Sequence, residues 1–208
     1  MRIDRRDLLN RTALAVIAGV TVGLAPSLSH ALSEDEAIAH VQITVDKVAG
    51  LVESHGDIAS KASRLLAIME RRAAMPQIAR FAAGIAWRGM NDDQQTRFVA
   101  AFGKFISRIY AARFQDYVSN GQSGETFKLG RVIDAGRKGM LVKTSIIRTG
   151  EAPVVVEWLV TDRPGRVVIA DIVIEGVSML VTEREEIGGM LEARGGNVEK
   201  LIADLATC

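Results

Sequence analysis

The sequence is poor in the residues that most often carry chemistry or covalent scaffolding. It has one cysteine, three histidines, four prolines and ten aromatics (six Phe, two Trp, two Tyr) in 208 residues. The cysteine is Cys208, so the chain can form neither an internal disulfide nor a cysteine-based metal site. His30, His40 and His55 are scattered rather than spaced as ligands. Neither sign of charge dominates, with Lys+Arg 26 against Asp+Glu 25. That excludes a broad electrostatic claim on nucleic acid, which calls for a strongly basic face. No apolar run reaches the roughly 20 residues that cross a bilayer. The zinc-protease, P-loop and dinucleotide-binding signatures are absent. Ser178, in Gly176-Val177-Ser178-Met179-Leu180, lacks the second glycine of a nucleophile elbow and reads as a helix cap.

What is present begins with an export-like start. Arg2, Arg5, Arg6 and Arg11 precede an apolar stretch through Ala25, then Pro26 and the small-residue sequence Ser29-His30-Ala31. A charged start, a short apolar middle and a small-residue end predict a cleaved signal over 1–31. Arg5-Arg6 allows either a twin-arginine or a general secretory signal. Its removal takes 31 of 208 residues, four arginines and two aspartates, leaving 177 residues with 22 basic and 23 acidic side chains. A near-neutral exported domain without disulfides must be held by its core, and this length suffices to build one.

The remaining chain, 32–208, reads as a single domain with a helical half (33–120), a sheet half (125–176) and C-terminal helices (178–206). Ser33 with Glu36 is a capping-box pattern that opens a helix to about Ser54. Ile38, Val41, Val45, Val48 and Val52 follow at helical spacing. Further helices are expected over 58–72, from Pro76 to near Trp87 and Gly89, and over 92–118 behind an Asn91 cap. The last carries six of the ten aromatics: Phe98, Phe102, Phe105, Tyr110, Phe114 and Tyr117. Four strands are expected at 126–133, 140–148, 153–161 and 167–174, joined by hairpin-length turns. Val154, Val156, Trp158 and Val160 make one face of the third wholly apolar, and the aromatic helix is its natural cover. Asp171 and Glu175 share a face of the last strand. They are either surface charges or the paired acids of a small cavity enzyme.

Taken together these residues resemble the MlaC, or toluene-tolerance, family of periplasmic lipid carriers. The resemblance rests on Ile78-Ala79-Arg80 through Trp87-Arg88, on Gln94-Gln95-Thr96-Arg97-Phe98, and on Phe102, Phe105, Tyr110-Ala111 and Tyr117. It continues in Pro153-Val154-Val155-Val156-Glu157-Trp158-Leu159 and in Asp171-Ile172-Val173-Ile174-Glu175-Gly176-Val177-Ser178-Met179. Arg184-Glu185-Glu186-Ile187, Gly195-Gly196-Asn197 and Leu201-Ile202 complete it.

The resemblance implies an α+β fold. A curved, mostly antiparallel four-stranded sheet, NTF2-like in shape, would be packed with helices around an apolar lipid pocket. It implies a monomeric carrier of phospholipid, or of a hopanoid-like lipid, working between an outer-membrane lipoprotein/porin complex and an inner-membrane ABC transporter. No cofactor, metal or catalytic residue is expected. Tail-lining candidates are Phe98, Phe102, Phe105, Ile106, Ile109 and Tyr110 on the helix, with Val156, Trp158 and Ile172 on the sheet. The competing readings are a cavity enzyme using Asp171 or Glu175, and a transporter adaptor with no pocket.

Overall fold

The computed structural model describes residues 32–119, 126–148, 150–162 and 165–207, with the side chains of 117–119 left out. The expected signal at 1–31, the turn at 120–124, the Tyr117 side chain and Cys208 lie outside the described residues. Helices α1 (Glu34–Glu53), α2 (Ile58–Arg72), α3 (Met75–Ala83) and α4 (Asp92–Ser119) come first. Strands β1 (Thr126–Asp134), β2 (Met140–Ile147), β3 (Val154–Thr161), β4 (Val168–Ile174) and β5 (Val177–Ser178) follow, then α5 (Met179–Glu192) and α6 (Val198–Thr207).

Local chemistry explains most of these boundaries. At α1 the Ser33 hydroxyl accepts from the Glu36 N–H while the Glu36 carboxylate accepts from Ser33 N–H at 2.9 Å, a complete capping box. Asp57 caps α2 by accepting from Ser60 N–H at 2.7 Å. Asn91 and Gln94 cap α4 reciprocally at 2.9 and 3.0 Å. The third helix differs from expectation. It stops at Ala83 because Gly84 takes φ 58 and ψ −133, and Trp87 lies in the 3-10 turn Gly84–Gly89 that follows. Only glycine occupies that backbone region without strain.

The strands form one antiparallel sheet in the order β1-β2-β3-β4-β5. It has five strands rather than the expected four. The addition, β5, is two residues long and returns on β4 through Glu175 (φ 48) and Gly176 (φ 82). So short a strand leaves no period-2 pattern to read.

The sheet is covered by a different helix from the one expected. Phe98, Phe102, Phe105 and Ile106 of α4 pack with Ala79 and Ala82 of α3, Ile187 of α5, and Leu201, Ile202 and Leu205 of α6. The Phe98 and Phe102 rings stack at 6.0 Å, with Trp87 edge-on to Phe98 at 6.3 Å. A separate cluster joins Val142 and Val160 of the sheet to Leu32, Ala37 and Val41 at the start of α1, with Trp158 and Phe127 packed against it. Thus α1, and not α4, lies on the apolar face of the sheet. The aromatic stripe of α4 is occupied by other helices, α2 among them through Met69.

Polar joints tie the parts together. Arg166, after β3, donates to Arg71 O at 2.6 Å, Glu70 O at 2.9 Å and Ala73 O at 3.4 Å, closing the carbonyl end of α2. Ala74 N–H donates to Ile169 O of β4 at 2.8 Å. His40, buried on α1, has Nε2 2.9 Å from Arg72 O and Nδ1 3.5 Å from the Arg72 guanidinium. Nε2 donates and Nδ1 accepts, so the ring is neutral. Burial, with smaller contributions from the Arg72 and Arg166 charges, holds its pKa below 6.5 against the opposing effect of the Arg72 carbonyl.

Two outcomes are expected. Phe102→Ala removes a fully buried ring and lowers stability by roughly 3–5 kcal/mol, read from urea midpoints. The unfolded chain binds a proton near pH 6.5 that folded His40 refuses. Stability is therefore full above that pH and declines as pH falls below it. His40→Gln flattens that decline.

Candidate functional site

The nine expected tail-lining residues fall into two groups. Phe98, Phe102, Phe105 and Ile106 are buried in the helical cluster, and half-buried Ile109 and Tyr110 pack against its edge. On the sheet, register sets Val142 and Ile172 opposite Trp158, and Thr144 and Ile174 opposite Val156. Side chains directly opposite share a face, so Val156, Trp158 and Ile172 line one surface. The structure gathers each group and joins the two in no common buried cluster.

The edges of the two groups carry polar features that sequence reasoning missed. The Trp158 indole N–H donates to Thr144 Oγ1 at 2.9 Å, and the Thr144 hydroxyl donates to Val156 O at 2.9 Å. The tryptophan's polar end is thus satisfied within the apolar face. On α4, the Tyr110 hydroxyl meets Glu183 Oε1 at 3.1 Å and the Met179 sulfur at 3.5 Å, both on α5. Phe114 packs on Tyr110 at 6.4 Å between ring centres, and the Arg113 guanidinium sits 5.1 Å over the Tyr110 ring. Glu183 is buried, and its Oε2 has no hydrogen-bond partner among the described residues. Burial pushes its pKa up, and the charge of Glu186 adds to this, while Tyr110 and Arg113 act against it. Tyr110 is pushed up to about 12, first by burial and then by the Glu183 charge. The available signal was the spacing of Glu183 and Ile187, four apart on one helix and both buried. A lone carboxylate in an apolar row reads in sequence as a surface position.

Asp171 and Glu175 have structural partners. The Asp171 carboxylate accepts from Ser178 Oγ at 2.6 Å, Leu180 N–H at 3.0 Å and its neighbour Ile172 N–H at 2.8 Å. Ser178 in turn accepts from Val181 N–H at 3.2 Å, the expected cap of α5. Asp171 therefore anchors the first turn of α5 to β4. Glu175, exposed at the β4–β5 turn, accepts from Val155 N–H through its carboxylate while its own N–H donates to Val155 O at 3.0 Å. Between β2 and β3, Lys143 and Glu157 form a cross-strand ion pair. Among the described residues no three of His, Cys, Asp and Glu are grouped to hold a metal. No described helix is long and apolar enough to cross a membrane.

These features define a class: an α+β fold in which a helical bundle and an open antiparallel sheet each keep an apolar cluster. Its carboxylates at 171 and 175 serve the backbone. Residues 42–207 match the family model described as MlaC protein, and the chain belongs to that family. Among solved structures it is similar to a phospholipid-binding protein from Ralstonia solanacearum, determined in complex with a phospholipid. The two share 22% identity over 82% of this chain and 99% of that one, with a TM-score of 0.63. At that identity the likeness is one of fold. Comparison with curated proteins returns no match.

The raised pKa of Glu183 carries a testable sign. The folded state holds this proton more tightly than the unfolded one, so the contribution is full below about pH 4.5 and is lost as pH rises through the folded value. Glu183→Gln keeps an acceptor for Tyr110 without the charge. Its melting temperature relative to wild type should rise as pH is raised from 4 towards neutrality; a constant difference would contradict the assignment.

Proposed function

We propose that this protein is a periplasmic lipid carrier, exported by the segment 1–31, in which 32–208 forms the lipid-binding domain. It takes phospholipid, or a hopanoid-like lipid, between an outer-membrane lipoprotein/porin complex and an inner-membrane ABC transporter. The observation that carries this reading is the division of the apolar interior within a family of this fold. The face bearing Val156, Trp158 and Ile172 and the α4 edge bearing Ile109 and Tyr110 are apolar surfaces without a shared cluster. Acyl tails held between them would complete the burial of both.

The physical need for such a carrier is plain. Each methylene exposed to water costs about 0.8 kcal/mol, so two tails with roughly 30 methylenes face a cost on the order of 20 kcal/mol. Unaided passage through an aqueous gap is correspondingly slow. A carrier has only to bury the tails and leave the headgroup wet. Nothing covalent changes, so the proposal invokes neither cofactor nor catalytic residue. The saturated hydrogen bonds of Asp171 favour this reading over a cavity enzyme.

Protein purified from the cell envelope should release close to one lipid per chain on organic extraction, identified by mass spectrometry. Ile109→Asp, at a half-buried edge, should lower lipid retention by about tenfold or more while melting stays cooperative. Extracts without lipid, together with no uptake from labelled vesicles, would overturn the proposal.

A further inference from the structure

Ile85 is 81% exposed, far more than any other large apolar side chain of the described residues. It stands in the 3-10 turn after α3, between two grooves of about 450 and 520 Å³. One is lined by Gln77, Arg80, Phe81, Trp87 and Arg88. The other has a floor of small residues, Ala82, Ala83, Ala86 and Gly188, with Leu191 and Glu192. Gly84, Ile85 and Arg184 belong to both.

One of the cations here is held in place: the Arg184 guanidinium lies 5.0 Å over the Phe81 ring, within ordinary contact distance of Gly84. Arg80, Arg88 and Arg184 form no ion pair among the described residues. Against these three arginines the groove walls carry one carboxylate, Glu192, a local excess of two positive charges on a chain whose net charge is +1.

We propose that this face docks an acidic segment of a partner protein that carries at least one large apolar side chain. The apolar group packs beside Ile85 on the alanine–glycine floor, and flanking carboxylates meet the guanidinium forks, whose paired donors fit them two at a time. A flat lipid surface would meet Ile85 and leave both concavities empty, whereas side chains of a polypeptide fill them. The inference rests on the carrier reading, since a carrier must be recognised by the complexes it serves. It places that recognition on α3 and α5, apart from the sheet face assigned to the tails.

The probes are a fluorescently labelled amphipathic peptide of leucine and glutamate, its leucine and lysine counterpart, and vesicles of phosphatidylglycerol. The Leu/Glu peptide should bind the full chain saturably and weaken with added salt. Ile85→Ser and the pair Arg88→Ala/Arg184→Ala should each reduce its affinity by about tenfold or more, with melting temperature unchanged for the exposed Ile85 position. Failure of the Leu/Glu peptide to bind, equal binding of the Leu/Lys peptide, or undiminished binding by the variants overturns the proposal. So does Ile85-dependent sedimentation with the vesicles without peptide binding, which would make a lipid surface the occupant. Lipid content measured on the same samples separates the two readings. Lipid-loaded protein that ignores the peptide refutes the docking face alone, and wild type that is lipid-free and takes up none from vesicles refutes the carrier.

Discussion

Burial of the aromatic face of α4 among its neighbouring helices sets what every other apolar face is left to pack against. Phe98 and Phe102 are fully buried and stacked on each other, and with Phe105 and Ile106 they fill the space among α3, α5 and α6. Burying each such ring contributes about 1.5–3 kcal/mol, so this cluster is the main apolar term of the helical half. Because α4 is engaged there, the sheet must find another cover. The start of α1 supplies it through Leu32, Ala37 and Val41. The consequence is an interior in two parts, each apolar and each incomplete at its edge.

Polar joints hold the parts in register where apolar packing does not. Asp171 fixes the beginning of α5 to β4, Arg166 and the Ala74–Ile169 bond fix the end of α2 to the sheet, and neutral His40 fixes α1 to the end of α2. In each joint a side chain satisfies backbone groups that a helix end leaves open. Away from these joints, Gln94 and Arg97 of α4 clasp Glu199 of α6, whose pKa is drawn down to about 2 chiefly by the Arg97 guanidinium. The pair is exposed, so it orients α6 more than it stabilises it. The Tyr110–Glu183 contact is of another kind. It is buried, retains an unpartnered oxygen, and lies where α4 meets α5.

Gly84 borders both grooves of the docking face. Its backbone ends α3, and Ile85 beside it stands outward. An apolar projection thus arises from one local irregularity. Such irregularities are where local rules yield to a tertiary or functional demand.

Much of the fold is legible in the amino-acid order because its determinants are near neighbours. Ser33 with Glu36, Asp57 with Ser60, and Asn91 with Gln94 set helix starts within one turn. Alternation along Val154, Val156, Trp158 and Val160 sets which side chains share a face. The family resemblance was legible for the same reason, being carried by short runs of residues. The partner of each face was not. The apolar stripes of α1 and α4 each qualify as cover for the sheet, and the choice depends on the other helices, α2 and α6 above all, claiming α4 first. The burial of Glu183 against Tyr110 likewise depends on a residue distant in sequence. Most helix starts, the strand faces and the near-neutral charge follow from composition or from contacts within a turn, so amino-acid order alone suffices for them. Which faces meet is settled in three dimensions, because packing selects among several apolar surfaces that local order makes equally suitable.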